Sequence, residues 1–367
     1  MELYIANTES LLDVQLPDVC RWASIYNLIA LNVSLVDRTN AVQVPFNFKT
    51  YPPFEYARIA EADCLTYEAC CDRRARELLA LQDQCGLPLA VLYSGGIDST
   101  LVLISFAKVL SSAQLRERIH VYMSNDSILE NPNFYYEFVR KHCTIRSSED
   151  FTTVLDGCHI MVGGEHNDQL FGSDLIGKIA QQHPFSVVHQ PYSRQFIIEF
   201  FMQTGLSPSD AECWFELIDA HIRQLNAPVS SVFEFFWWLN FIFKWQSVYF
   251  RILLRVDRSQ RGLIDHQFCE RCYHHFYSPT YFQRWSMDNP DLKIKDTWAS
   301  YKFTAKNLIH DFNKDDEYRD HKLKIGSLSR LFLQKDTAVG LSSDFLFFDS
   351  LDRCDLYQQN NSFRTAS

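Results

Sequence analysis

Hydrophobic and polar positions follow two periods along the chain. In "CLTYEACCDRRARELLALQDQ", residues 64–84, Tyr67, Cys71, Ala75, Leu78 and Leu79 recur at helical spacing, and Cys85-Gly86-Leu87-Pro88 supplies a helix stop. Beyond it, short unbroken apolar runs alternate with longer helical stretches. They predict strands at 89–93, 119–123 and 159–162 and helices at 99–110 and 133–142. That alternation implies right-handed crossovers and hence an α/β fold, a parallel sheet covered by helices, with its ligand crevice beyond the carboxyl ends of the strands. After about residue 195 the pattern turns helical, and long aromatic helices are expected at 210–225 and 231–256, completing one compact unit with the sheet. The chain thus divides into a segment of unknown role at 1–60, a main unit with a helical C-terminal part at 61–335, and a tail at 336–367 whose polar end is expected to fray.

Composition narrows the class. With 367 residues, 47% of them hydrophobic, the chain has material for a large core. Lys and Arg number 35 against 45 Asp and Glu, and the net charge of −10 argues against a surface that neutralises nucleic acid or anionic lipid. A small-molecule or peptide partner is expected instead. The 11 cysteines form no disulfide-like framework and Met1-Glu2-Leu3-Tyr4 opens no signal peptide, so the expected location is cytoplasmic. The most apolar stretch, 232–256, is interrupted by Glu234, Asn240, Lys244, Gln246 and Arg251. It falls short of the roughly 18 to 20 apolar residues of a membrane span and reads as a core helix.

The chemistry concentrates in "AVLYSGGIDSTLVLISFA", residues 90–107. A loop between strand and helix presents backbone N–H groups at the positive end of the helix dipole, and Gly95 and Gly96 allow an anion to approach closely. Phosphate is the natural guest. Ser94, Ser99 and Thr100 add hydroxyls, while Asp98 would repel phosphate unless a hard cation stood between them, which points to a nucleotide triphosphate with Mg²⁺. The loop is not a Walker A, whose spacer and Gly-Lys-Ser/Thr are missing. A tight turn with Asp98 as helix cap is the purely structural alternative.

Ser94-Gly95-Gly96-Ile97-Asp98-Ser99 resembles the SGGxDS pyrophosphate loop of the N-type ATP pyrophosphatases, the PP-loop superfamily, whose fold is adenine nucleotide alpha hydrolase-like. A second segment, "IMVGGEHNDQLFGSD" at 160–174, is similar to the GEGxDExFGG segment of the asparagine synthetase-like branch, with Gly164, Glu165, Asp168, Leu170, Phe171 and Gly172 in place. His166 and Asn167 stand where that family has small residues, Gln169 replaces an acid and Ser173 a glycine. More loosely, 276–309 looks like the family's PFLD segment and following helix. "RDHKLKIGSL", 319–328, resembles its R-x-K-x-G stretch, with Lys322 at the arginine and Lys324 at the catalytic lysine. The likeness spans roughly 65–330. It leaves out the family's glutaminase domain, for which 1–60 is too short and lacks an amino-terminal cysteine, so ammonia from glutamine within this chain is not expected.

The resemblance implies that Ser94, Gly95, Gly96, Asp98, Ser99, Thr100 and Gly164 bind ATP, that Asp98 and Asp168 hold Mg²⁺, that Lys324, with Lys322 as its substitute, stabilises developing charge, and that Glu165 influences proton transfer. The implied reaction adenylates a small-molecule or peptide carboxylate, releases pyrophosphate, and forms an amide with an amine donor or ammonia, releasing AMP. A separate amidotransferase subunit is an alternative ammonia source. A catalytically altered nucleotide-binding or regulatory protein and a tRNA-modifying relative are competing readings; the second motif and the acidic balance disfavour the latter. Elsewhere, Cys269, Cys272, His274 and His275 lack a second ligand pair and read as packing rather than zinc. The aromatic run 233–245 reads as core, His159 as buried beside its strand, and His166 as facing the crevice without an assigned role.

Overall fold

The computed structural model describes residues 3–5, 37–41, 54–148, 155, 157–250, 252–253, 266–322, 338–341 and 345–348. Strand β1 (Leu3–Ile5) is followed by the five strands of the main sheet: β2 (Leu89–Leu92), β3 (Ile119–Met123), β4 (Thr144–Ser147), β5 (Ile160–Gly163) and β6 (Tyr273–His275). The sheet order is β4-β3-β2-β5-β6 and every neighbouring pair is parallel. β2 and β5 are buried at every position, as unbroken apolar runs demand when helices cover both faces. From β2 the chain builds outward to β3 and β4, then returns to place β5 and β6 on the other side. That reversal makes the carboxyl ends of β2 and β5 the topological switch point, the place where open α/β sheets hold their ligand crevice.

Helix α1 (Tyr67–Cys85) starts where Thr66 Oγ1 accepts the Ala69 N–H and ends at Gly86, which takes the left-handed conformation at φ 66°. Helix α2 (Ile97–Ala107) leaves the glycine loop, and its buried residues run without a break from Ser99 to Phe106. Then come α3 (Ser112–Arg118), α4 (Asn125–Glu130), α5 (Asn167–Phe171) and α6 (Pro208–Gln224). The single helix expected over 231–256 is interrupted: α7 (Val232–Trp238) passes into a π turn, Leu239–Phe243, before α8 (Trp245–Phe250). Trp237, Trp238 and Trp245 are fully buried there, so the aromatic run is core. The helix expected at 133–142 is likewise interrupted by a π turn, Tyr135–Val139. Helices α9 (Phe303–Asn313) and α10 (Asp316–His321) close the described part of the unit. No described helix is long and apolar enough to cross a membrane.

Segments outside 61–335 also carry described structure. Strands β7 (Ala338–Leu341) and β8 (Phe345–Phe348) lie within the expected tail, and β7 pairs antiparallel with both β1 and β8. Residues 37–41 also join the main unit: the Arg38 guanidinium lies 4.5, 4.4 and 4.1 Å from the ring centroids of Phe54, Phe241 and Trp245. Thr39 Oγ1 is 2.9 Å from His221 Nε2, and Trp238 Nε1 donates to His221 Nδ1 at 3.0 Å. Because the indole is only a donor, the histidine proton sits on Nε2.

Candidate active site

The loop between β2 and α2 is held in shape by its own hydroxyls. Ser94 Oγ accepts the Gly96 N–H at 3.1 Å, while Ser99 Oγ accepts the Ser94 N–H at 3.1 Å and donates to Gly96 O at 3.2 Å. Gly95 adopts φ 78°, and a Cβ there would overlap Ser127 O. Tyr318 Oη of α10 donates to Gly95 O at 2.8 Å, bracing the loop from outside. The first N–H groups of α2 lack intrahelical partners by the geometry of any helix start, so they and the dipole present positive potential at the loop. Gly164, beyond the end of β5, lets the two strand ends meet: a Cβ there would stand 3.3 Å from Asp98 Cβ and Ser99 N.

Across that contact Asp98 and Asp168 converge on one cation, and it is a lysine. Lys302 Nζ donates to Asp98 Oδ1 and Oδ2, both at 2.7 Å, and lies 2.5 Å from Asp168 Oδ1. Side-chain exposure rises from 5% at Lys302 through 24% at Asp98 to 41% at Asp168, so the cluster opens to solvent on the Asp168 side. Burial opposes the Lys302 charge, yet Asp168 and Asp98 hold its pKa above the usual lysine range. Burial also raises the Asp98 pKa, with Lys302 opposing and Asp168 adding to the shift. Asn167 Nδ2 donates to Asp98 Oδ1 at 2.6 Å and is itself oriented by Tyr67, whose Oη donates to Asn167 Oδ1 at 2.6 Å. Tyr277 Oη donates to Asp98 O at 2.9 Å. Burial keeps Tyr67 and Tyr277 well above the phenol range, so both serve as O–H donors.

This arrangement bears on the expected Mg²⁺. Mg²⁺ takes oxygen ligands at about 2.0–2.1 Å in a near-octahedral array. An ammonium has three protons, and here three carboxylate oxygens surround it. The position between the acids is thus already held by a cation, and the residues as arranged do not fit a bridging Mg²⁺. Among the described residues no group of three or more His, Cys, Asp or Glu could hold a metal ion. Cys269 and Cys272 are buried, and Cys272 Sγ contacts Gly157 O at 3.8 Å. Burial, with Arg74 adding, lowers the His274 pKa to about 3.

The other expected site residues distribute unevenly. Ser94, Gly95, Gly96 and Ser99 form the loop, whereas Thr100 turns inward: fully buried, it lies 3.4 Å from both Tyr318 Oη and Asn131 Nδ2. Glu165 is half-buried at the end of β5 near Gly163, beside the His275 ring. Lys322 Nζ pairs with Glu130 Oε1 at 2.7 Å, next to the glycine loop. Lys324 lies outside the described residues. His166 is a correction, because it does not face the crevice. Fully buried, it stacks on Trp245 at 4.0 Å and places Nδ1 2.7 Å from Ser278 Oγ. His159 is half-buried, with its ring 5.7 Å from that of His120. Gln169 turns inward, its Nε2 3.3 Å from Asn240 Oδ1, and Asn240 Nδ2 in turn donates to Asp168 O at 3.1 Å.

Lys302, Tyr277, Tyr318 and Glu130 escaped the sequence reading. One signal was present for Lys302: it stands at the start of the helical run 303–313, where the dipole disfavours a base. No protein-family model and no curated protein matches this chain.

Proposed function

We propose that the chain is an ATP-dependent ligase that adenylates a carboxylate and passes the acyl group to an amine. The observation that carries this reading is the convergence of Asp98 and Asp168, delivered from the ends of β2 and β5, beside a glycine loop at a helix N-terminus. In the proposed reaction the α2 N–H groups and the loop receive the polyphosphate. A substrate carboxylate oxygen attacks the α-phosphorus, and the bond to the pyrophosphate oxygen breaks. An amine then attacks the acyl-adenylate carbonyl, AMP leaves with its bonding electrons, and the amine gives up a proton to form the amide. Lys322, held by Glu130 beside the loop, supplies fixed positive charge next to the departing phosphates. Likeness to the asparagine synthetase-like pyrophosphatases supports the same order of steps.

One observation favours a second reading. With Lys302 between the acids, the site resembles one whose ion chemistry has been altered, consistent with nucleotide binding without turnover. A screen of carboxylic acids and amines for AMP release, with mass detection of products, separates the two. With an active acid in hand, Asp98→Ala and Asp168→Ala are expected to abolish substrate-dependent exchange of labelled pyrophosphate into ATP. Full exchange in either variant would refute the reading that the converging acids serve the reaction. ATP uptake with no AMP from any acid would favour the second reading.

A further inference from the structure

We propose that Lys302 is the resident cation of this site: its ammonium stands between Asp98 and Asp168 in place of a divalent ion and so sets the cation preference of the pair. The side chain is delivered by a rigid part of the fold. Lys302 takes the left-handed conformation at φ 61°, uncommon for a residue with a Cβ. Its N–H donates to Lys293 O at 2.9 Å, and its carbonyl accepts the Lys306 N–H at 3.0 Å as α9 begins. The ammonium is therefore aimed at the acids by backbone anchored on both sides, and its exposure of 5% leaves it little freedom to swing into solvent.

The acids are adapted to the same occupant. Asp98 Oδ1 already accepts both Lys302 Nζ and Asn167 Nδ2, so an ion bound there would have to displace a donor that Tyr67 holds in place. Charge separates the two cases. Two carboxylates with one ammonium leave a single negative charge, two carboxylates with Mg²⁺ alone are neutral, and adding Mg²⁺ beside Lys302 would set two cations at contact distance. All three ammonium protons face carboxylates, so a phosphate arriving at the loop meets backbone N–H groups and brings any divalent ion with it.

Mn²⁺ uptake by the whole chain, followed by electron paramagnetic resonance without nucleotide, tests this. Wild type and Asp168→Asn are expected to titrate indistinguishably. Lys302→Met is expected to gain one Mn²⁺ bound about tenfold tighter or more, once the adjacent like charge is gone. That gain should vanish in Lys302→Met/Asp168→Asn. Mn²⁺ uptake by wild type that Asp168→Asn removes would overturn the proposal, as would a Lys302→Met variant that melts cooperatively and gains none. If Lys302→Met does not fold, the first comparison still decides, because it leaves Lys302 in place. The proposal rests on the ligase reading only for what the cation serves. ATP binding to wild type, measured by calorimetry in EDTA and in Mg²⁺, is the separate arm: no uptake in either buffer would sink the nucleotide reading and leave the Mn²⁺ result standing.

Discussion

Gly95 and Gly96 are neighbours in the loop but face different constraints. Gly95 sits at φ 78° with Ser127 O where a Cβ would go, whereas Gly96 is extended at φ −73° and its Cβ would meet side-chain ends alone, Ser94 Oγ at 3.0 Å and Glu130 Oε1 at 3.4 Å. Gly95→Ala is expected to destabilise by about 1–3 kcal/mol and Gly96→Ala by less, read from urea unfolding. Equal losses would mean that the loop conformation is not what Gly95 maintains. The glycine pair was legible because it falls, with Asp98, between an apolar strand run and a helical run, where backbone N–H groups meet the positive end of a helix dipole. Adjacency did not show the direction of Thr100: two positions along a helix turn the side chain by about 200°, so Thr100 faces the core while Asp98 faces the crevice. Lys302 was illegible as a partner of the acids, because only the tertiary fold brings residue 302 to residues 98 and 168 and removes it from water.

At the scale of elements, apolar runs located β2, β3 and β5 within a residue or so, since strands covered on both faces must be apolar throughout. They missed β4, whose Thr144–Ser147 is largely exposed, and β6, whose three residues are too short for any period. The π turn after α7 was hidden for a different reason. Asn240 uses it to reach the carbonyls of Asp168 and Gly172, a contact between segments that local pattern does not carry. The start of α7 is a capping box. Glu234 Oε2 accepts the N–H groups of Ser230 and Ser231 at 2.7 and 2.9 Å and their hydroxyls at 2.7 and 3.1 Å. Burial raises the Glu234 pKa, but these bonds outweigh it and the net shift is downward. A depressed carboxylate contributes stability above its unfolded pKa and loses it as pH falls through the folded one. Wild type is therefore expected to be more stable than Glu234→Gln at neutral pH, with the difference shrinking only below the ordinary glutamate range. Unfolding measured across that range checks the sign; a gap that widens in acid would contradict it.

For the whole molecule, dividing the chain at residue 60 followed composition, since 1–60 shows loop chemistry and no motif, yet part of that segment completes the core. Arg38 is 2% exposed among Phe54, Phe241 and Trp245, and Nη1 donates to Gln283 Oε1 at 2.9 Å. Among the described residues Nε and Nη2 have no hydrogen-bond partner, and burial lowers the pKa well below the usual arginine range. A guanidinium so placed fills space between three rings while its charge is costly to keep out of water, partly offset by the faces of those rings. The two contributions separate by substitution. Arg38→Ala removes the filling and should cost about 2–5 kcal/mol, the range for emptying a core site. Arg38→Met keeps most of the volume and discards the charge. Because apolar replacements of buried ions are often neutral or stabilising, it should stay within about 1 kcal/mol of wild type, the main loss being the bond to Gln283. Urea unfolding of both variants decides: if Met proves as damaging as Ala, the cation–π contacts and not the packed volume tie residues 37–41 to the core.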